Sequence, residues 1–382
     1  MVQPVYLDYN ATTPIDPRVI AEMRPFLETE FGNPSSSHRY GAVPAQAVEK
    51  ARRRVSEFLG CLPEEVFFTS GGTESNNQAI KGMARALKDR GRHIVTTVFE
   101  HPAVLEVCRY LEGEGFETTR VAVDERGMVD PEKIRQALRL DTILVTVMHA
   151  NNEVGTVQPV ADIARLAGSR GIVLHTDAAQ SPGKIPVDVA SLGVDLLSIA
   201  GHKLYAPKGI GALYVRKGLV PEKFCHGAGQ EMGRRAGTEN VAGIVGLGKA
   251  CEIASASLAE DAIRMRTLRD RLHEGIAGRT DGVRLNGHSE YRLPNTLNLS
   301  FQGLDANRLL EEIGREVAAS AGAACHAGSV AVSHVLDAMR VPIEWARGAL
   351  RFSLGRMTTP ADIDRAVDAV TLAVTGLRNE TK

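Results

Sequence analysis

The chain has 382 residues, which is long enough for two domains with separate hydrophobic cores. Its 45 basic and 46 acidic residues are interspersed and give a formal net charge of -1, so the composition argues against a nucleic-acid groove or a surface for anionic membranes. The segment MVQPVYLDYNATTP has neither the basic nor the apolar region of a signal peptide, and no apolar run approaches the roughly 18 residues of a membrane span.

Between about residues 45 and 255, helical patterns alternate with short apolar runs. One helix carries Val48, Val55 and Phe58 at helical spacing and is expected to end at Gly60. Strands are predicted at Val66–Thr69, Ile94–Val98, Ile143–Met148 and Ile172–His175. This alternation is typical of helices packed on a mostly parallel sheet, and it predicts an α/β fold.

After residue 256 the pattern changes to a long charged helix, Leu258 to Ile276, followed by short strands at Val283–Leu285 and Thr296–Phe301. The segment Thr359-Pro360-Ala361-Asp362 predicts a capping box at the start of the final helix. We therefore predict a large α/β domain over residues 15–255. A smaller α+β domain is predicted over residues 1–14 and 256–382.

Nearly every predicted strand of the large domain ends in polar residues. The segments that follow the strands are Ser70-Gly71-Gly72-Thr73, Glu100-His101, Asn151-Asn152-Glu153 and Asp177-Ala178-Ala179-Gln180. Ligands of open α/β sheets bind at the carboxyl ends of the strands. The sequence therefore predicts a functional site at this edge of the sheet.

Two of these segments suit a phosphorylated, electron-withdrawing cofactor. Gly72 and Thr73 open a helical pattern after a strand, where backbone N–H groups favour an anion, although an ordinary capped turn is the alternative. Asp177 ends a strand and could hold a pyridine nitrogen in its protonated form, and a helix cap is the alternative there.

Lys203 follows another apolar strand, in Gly201-His202-Lys203, and a desolvated lysine can lose its proton and form an imine. It is our candidate for a Schiff base. Lys208 lies nearby in a turn, where a solvated surface lysine is the better interpretation.

The five cysteines show no pair spacing, which fits a reducing compartment, and we expect a cytoplasmic protein. Cys325 lies in a run of small residues and is followed by His326, which could promote formation of the thiolate. An inert buried thiol is the alternative. Arg351, in a short strand-like run, suits a substrate carboxylate, with a surface salt bridge as the alternative. No cysteine or histidine spacing predicts a metal site.

Taken in order, eight segments resemble the cysteine desulfurases, pyridoxal 5′-phosphate (PLP) enzymes of the class V aminotransferase group, particularly the nitrogen-fixation and iron-sulfur-assembly type. The segments cover almost the whole chain: Tyr6–Pro14, Gly32–Ser36, Thr69–Asn76, Glu100–Pro102, Ala150–Glu153, His175–Gln180, Gly201–Lys203 and Arg235–Asn240. The resemblance implies the type I fold of PLP-dependent transferases, with a mostly parallel, seven-stranded type of sheet in the large domain.

The resemblance also implies a role for each matching residue. Lys203 would carry PLP, Asp177 would pair with its pyridine nitrogen and His101 would stack on its ring. The ring oxygen would meet Gln180 and Asn152, and the phosphate would be held by Gly72, Thr73, His202 and, from the partner subunit of a homodimer, Thr238. Arg351 and Asn152 would bind the carboxylate of L-cysteine, and Cys325 would be the nucleophile.

The implied reaction converts L-cysteine to L-alanine and leaves the sulfur on Cys325 as a persulfide, with Lys203 and His101 as proton carriers. The sulfur would pass to an acceptor protein such as an iron-sulfur scaffold. The alternatives are a selenocysteine lyase acting on L-selenocysteine and a class V aminotransferase or lyase that does not use Cys325. The chain departs from the family pattern at Ala200, where several relatives have a phosphate-binding serine, and in the residues after Cys325.

Overall fold

The computed structural model describes residues 3–321 and 332–380. Within these residues the strands are β1 (Val5–Tyr6), β2 (Val66–Thr69), β3 (His93–Thr97), β4 (Glu117–Val121), β5 (Thr142–Thr146), β6 (Val173–Asp177), β7 (Leu196–Ala200), β8 (Gly211–Val215), β9 (Val283–Asn286), β10 (Thr296–Phe301), β11 (Val317–Ala318), β12 (Ser320–Ala321) and β13 (Ala349–Ser353). The helices are α1 (Pro17–Glu28), α2 (Arg39–Leu59), α3 (Gly72–Ala86), α4 (Pro102–Glu112), α5 (Pro131–Ala137), α6 (Val160–Gly168), α7 (Val189–Leu192), α8 (Val241–Ala277), α9 (Ala306–Ile313), α10 (His334–Ala338), α11 (Ile343–Ala346) and α12 (Pro360–Glu380).

A seven-stranded sheet with the order β2-β8-β7-β6-β5-β3-β4 forms the centre of the α/β part. Only β8 runs antiparallel to its neighbours among these strands, so the carboxyl ends of the other six lie at one edge. The central strands are buried along their whole length, because helices cover both faces. Phe67 and Phe68, adjacent on β2, belong to hydrophobic cores on opposite faces. The predicted α/β fold with a mostly parallel sheet is confirmed.

A second, antiparallel sheet with the order β12-β13-β10-β9 lies in the C-terminal part of the chain. Its core also takes in Val5 and Leu7 from the N-terminal segment, and β1 pairs in parallel with β11. The final helix begins as predicted, because Thr359 N donates to Asp362 Oδ2 at 2.9 Å and Asp362 N donates back to Thr359 Oγ1 at 3.2 Å.

The predicted start of the long helix was wrong. Helix α8 begins at Val241 rather than Leu258, and it continues without a break across the predicted domain boundary after residue 255. Glycines at 243, 246 and 248 weaken the helical signal of its first turns. They are needed for close packing, since a Cβ at Gly248 would lie 2.7 Å from Ala51 Cα on α2. The boundaries of the two domains stay a prediction.

Helix α8 is long and apolar enough to cross a bilayer by length and composition, and it is the one helix of the described residues that passes this test. However, 61% of its most apolar stretch is buried inside the protein, as in the core helix of a globular fold. Its first part packs against α2, and Leu268 and Leu272 in its later part belong to the hydrophobic core of the antiparallel sheet.

Candidate active site

A cavity of about 350 Å³ opens at the carboxyl edge of the large sheet, a volume within the usual range for small-molecule sites. Strand ends supply most of its walls, and the N-terminal segment and β13 close it. The residues predicted from the sequence that line it are Gly72, Thr73, His101, Asn152, Asp177, Gln180, His202, Lys203 and Arg351. The fold thus gathers in one place side chains that are far apart in sequence.

One end of the cavity is built to hold an anion. Gly71 has φ of 151°, a backbone conformation open essentially to glycine alone, and it turns the chain from β2 into the N-terminus of α3. Gly72 lines the cavity with bare backbone, and a Cβ there would lie only 3.3 Å from Ala200 Cβ. His202 also lines the cavity, and its Nδ1 lies 3.2 Å from Thr12 Oγ1. Free N–H groups at the start of α3 suit a phosphate.

Asp177 supplies a buried carboxylate at the end of β6. Asn76 Nδ2 donates to its Oδ2 at 2.7 Å and Ala179 N donates to its Oδ1 at 2.9 Å, which fixes the plane of the carboxylate. Asp177 is only 5% exposed and forms no salt bridge with any described residue. A buried carboxylate without a cation favours a positively charged ligand. A protonated pyridine nitrogen fits this requirement.

His101 caps α4 and faces the cavity from the next strand end. Its Nδ1 accepts a hydrogen bond from Ala103 N at 3.1 Å, so in the neutral tautomer the proton is on Nε2. Burial lowers the pKa of His101, and the charge of Lys203 lowers it further, whereas Asp177 raises it. The ring is therefore held mainly in its neutral form at neutral pH.

Lys203 follows β7 and lies inside the cavity. Its Nζ donates to the carbonyl oxygens of Asn10 at 2.5 Å and Ala11 at 2.7 Å. Burial lowers the pKa of Lys203 to about 8, with the charge of Arg351 acting in the same direction and Asp8 and Asp177 opposing it. By contrast, Lys208 is exposed, as expected for a solvated turn residue.

The pKa of Lys203 predicts how the apoprotein takes up PLP. Only the neutral amine attacks an aldehyde, so the second-order rate of colour development should rise with pH and level off just above about 8. An ordinary lysine would continue to gain rate up to 10.5. The measurement is the visible absorbance after mixing apoprotein with PLP across this pH range.

A small lysine derivative mixed with the same PLP solutions corrects that measurement for the titration of the cofactor itself. A protein rate that keeps rising in parallel with this control would show that the site does not depress the pKa of Lys203.

Arg351 enters the cavity from β13 of the second sheet. Its Nη2 donates to Asp8 Oδ1 at 2.7 Å and its Nη1 donates to the Asn152 carbonyl at 3.1 Å. Its Nε is buried and has no hydrogen-bond partner within the described residues. The guanidinium is thus oriented, yet it retains N–H groups for a carboxylate.

Asp8, Asn10 and Asn76 are site residues that were not singled out from the sequence. Asp8 orients Arg351, Asn76 orients Asp177, and the Asn10 carbonyl accepts from both Lys203 and Gln180. All three lie in segments that carried the family resemblance, Tyr6–Pro14 and Thr69–Asn76. Their location in these two segments was the one feature of the sequence that pointed to these residues.

Two predicted residues are not placed in the cavity by the structure. Thr238 is exposed and precedes α8, in a loop tied to α3 by the ion pair of Arg235 Nε with Glu74 Oε1 at 2.9 Å. It does not line the cavity of its own chain. Cys325 lies outside the described residues. Within the described residues, no group of three or more His, Cys, Asp or Glu side chains is placed to hold a metal ion.

Comparison with known proteins identifies the family. The sequence profile of the class V aminotransferases matches residues 5–366. Cysteine desulfurase IscS of Dictyoglomus turgidum is 48% identical over 379 residues, 99% of this chain and 96% of that protein. Its counterpart from Methanosarcina thermophila is 48% identical over 376 residues, 98% of this chain and 93% of that protein. The chain belongs to the cysteine desulfurase family.

Solved structures of this family share the fold. A NifS-like protein superimposes with a TM-score of 0.92 at 41% identity, covering 98% of this chain and 100% of that one. SspA, solved in complex with cysteine, gives 0.81 at 37% identity, covering 92% and 99%. As a class V aminotransferase of type I fold, the protein is a PLP enzyme, and the anion-binding helix start, Asp177 and Lys203 fit that cofactor.

Proposed function

We propose that the enzyme removes sulfur from L-cysteine, releases L-alanine and carries the sulfur on Cys325 as a persulfide. One observation carries the proposal. Lys203, Asp177, His101 and Arg351 converge on one cavity, so the groups for anchoring PLP, tuning its ring and holding an amino-acid carboxylate are adjacent. The relatives are named as cysteine desulfurases, which supports cysteine over selenocysteine as the substrate.

PLP bound at Lys203 supplies an electron sink that stabilises negative charge on the substrate carbon skeleton. Asp177 strengthens that sink, because a fixed carboxylate keeps the pyridine nitrogen protonated. Arg351 binds the α-carboxylate of cysteine by charge-assisted hydrogen bonds and thereby sets which bond at the α-carbon faces the reacting groups. Asp8 and the Asn152 carbonyl keep the guanidinium in place while it does so.

With PLP in place, Lys203 Nζ would accept the α-proton, and the lowered pKa of this lysine suits a base working near neutral pH. The Cys325 thiolate then attacks the substrate sulfur. A sulfur–sulfur bond forms, the carbon–sulfur bond breaks, and its electron pair stays with the carbon that becomes the alanine methyl group. His101 Nε2 is the proton donor or acceptor for the sulfur atoms. Overall, the substrate cysteine and the Cys325 thiol are converted to alanine and the Cys325 persulfide.

We further propose a homodimer in which Thr238 reaches the partner's phosphate site. Thr238 is exposed and absent from its own cavity, and the preceding loop exposes Phe224 and Met232 to solvent in the single chain. Such side chains are suited to a subunit interface. Sedimentation equilibrium should give the mass of two chains, and a stable monomer with full activity would contradict the shared site.

The persulfide sulfur is handed to an acceptor protein, such as an iron-sulfur scaffold, in the cytoplasm. Five cysteines without disulfide-pair spacing support this location, and the family resemblance to the iron-sulfur-assembly type supports this acceptor. Incubation of the sulfur-loaded enzyme with a purified scaffold should move labelled sulfur to the scaffold, whereas retention on the enzyme would contradict this choice.

The reaction itself is tested by its products. With cysteine, PLP-loaded enzyme and a thiol reductant, alanine and sulfide should accumulate in equal amounts, because each turnover frees one of each. A transaminase would instead give a keto acid that retains sulfur, and formation of that product without alanine would contradict the proposal.

A further inference from the structure

Lys184 is a buried lysine that none of the steps above uses. It lies four residues after Gln180 in the sequence and is 6% exposed. It forms no salt bridge with any described residue, although a lysine is almost never buried without a partner of opposite charge. Burial lowers its pKa well below the ordinary value. A group this costly to bury points to a role in the adjacent site.

The contacts of Lys184 are two side-chain amide oxygens. Its Nζ donates to Gln180 Oε1 at 2.8 Å and to Asn10 Oδ1 at 3.1 Å. The amine has at least two N–H groups in either protonation state, so it can donate a hydrogen bond to each oxygen. Both amides therefore turn their oxygen atoms toward Lys184.

The opposite ends of the two amides face the cavity network. Gln180 Nε2 donates to the Asn10 carbonyl at 3.0 Å, the same oxygen that accepts from Lys203. Asn10 Nδ2 donates to the Asn152 carbonyl at 3.1 Å and to Thr296 Oγ1 at 2.9 Å. A flipped Gln180 amide would turn its N–H groups toward Lys184 Nζ and its oxygen toward the Asn10 carbonyl oxygen. A flipped Asn10 amide would meet Asn295 Nδ2, which donates to Asn10 Oδ1 at 3.1 Å.

We propose that Lys184 is a positioning residue that fixes the amide orientation of Gln180, so that the cavity receives the Nε2–H donor of Gln180 rather than its oxygen. The inference rests on the PLP site described above. A donor at this place stabilises negative charge on the cofactor's ring oxygen, whereas an amide oxygen would repel it. Lys184 would act only through Gln180 and would touch neither cofactor nor substrate.

The test is a pH titration of the visible absorption band of the PLP-loaded protein, which reports protonation of the cofactor's link to Lys203. Lys184→Met retains length and removes the donor. With the ring oxygen less stabilised, the protonated link persists to higher pH, and the midpoint should rise by about one pH unit or more. The kcat for cysteine should fall with little change in KM, because Arg351 is untouched.

Two further variants separate positioning from other effects. In a Gln180→Leu background, Lys184→Met should cause no additional shift, because the residue through which it acts is gone. A shift of the same size in both backgrounds would mean that Lys184 acts by charge or general structure, and would overturn the inference. Lys184→Gln, which retains an N–H donor, should lie closer to the wild type than Lys184→Met.

Failure of this inference is distinguishable from failure of the PLP site. A wild-type protein that never shows a PLP band would refute the cofactor site. A normal wild-type band with an unshifted Lys184→Met midpoint would refute only the role of Lys184. If Lys184→Met does not fold, Lys184→Leu, which also removes the donor to Gln180 Oε1, carries the same test with and without Gln180→Leu.

Discussion

Lys203→Ala should yield a colourless protein after incubation with PLP and should lower kcat for cysteine by about 10³-fold or more. The variant loses both the amine that anchors the cofactor and the base that accepts the α-proton. The structure places this lysine in the cavity beside Asp177 and Arg351, with a pKa already lowered to about 8 by burial. Visible absorbance and alanine formation are the two measurements.

The matched control is Lys208→Ala, only five positions further along the chain but exposed in a turn. It should retain both the colour and the turnover of the wild type. A Lys203→Ala protein that remained yellow and kept wild-type turnover would refute Lys203 as the anchor, whatever the behaviour of the control.

Cys325→Ala should separate the two halves of the reaction. The protein should bind PLP and turn yellow, because every cofactor contact described above remains. Sulfur release and alanine formation from cysteine should fall by about 10³-fold or more, on the scale of losses seen when an enzyme's nucleophile is removed. Absorbance gives the first result, and quantified sulfide and alanine give the second.

Cys61→Ala is the matched control for the thiol. Cys61 is half-buried outside the cavity, and burial raises the pKa of its thiol to about 12, so almost none of it is thiolate at neutral pH. This variant should keep near wild-type turnover. Loss of activity in Cys61→Ala with full activity in Cys325→Ala would reverse the assignment of the nucleophile.

The sequence was most informative where a predicted strand end coincided with one of the segments that resemble the family. Asp177 ends β6 and Lys203 follows β7, and residues at the carboxyl edge of a parallel sheet lie at its ligand site. Their convergence could therefore be predicted without coordinates. Strand limits came within one or two residues of the observed ones, as for β3 and β5.

Long-range polar contacts were beyond the reach of sequence patterns. Asp8 and Arg351 are 343 residues apart, and nothing in either local pattern shows that they pair. The same holds for Asn76 with Asp177, and for Lys184 with the amide oxygen of Asn10. The contacts of Asp8 and Asn10 depend on how the N-terminal segment packs, and that of Asn76 depends on how α3 packs on the large sheet. No periodicity encodes either arrangement. Tertiary packing likewise outweighed the low helix propensity of the glycines in α8.

The most direct test of Cys325 as the sulfur carrier is a single turnover without reductant. Enzyme and cysteine are mixed in equal amounts, and the digested protein is analysed by mass spectrometry. The peptide containing Cys325 should gain the mass of one sulfur atom while one alanine forms per active site. Alanine formation with an unmodified Cys325 peptide and sulfur bound elsewhere would contradict this role of Cys325.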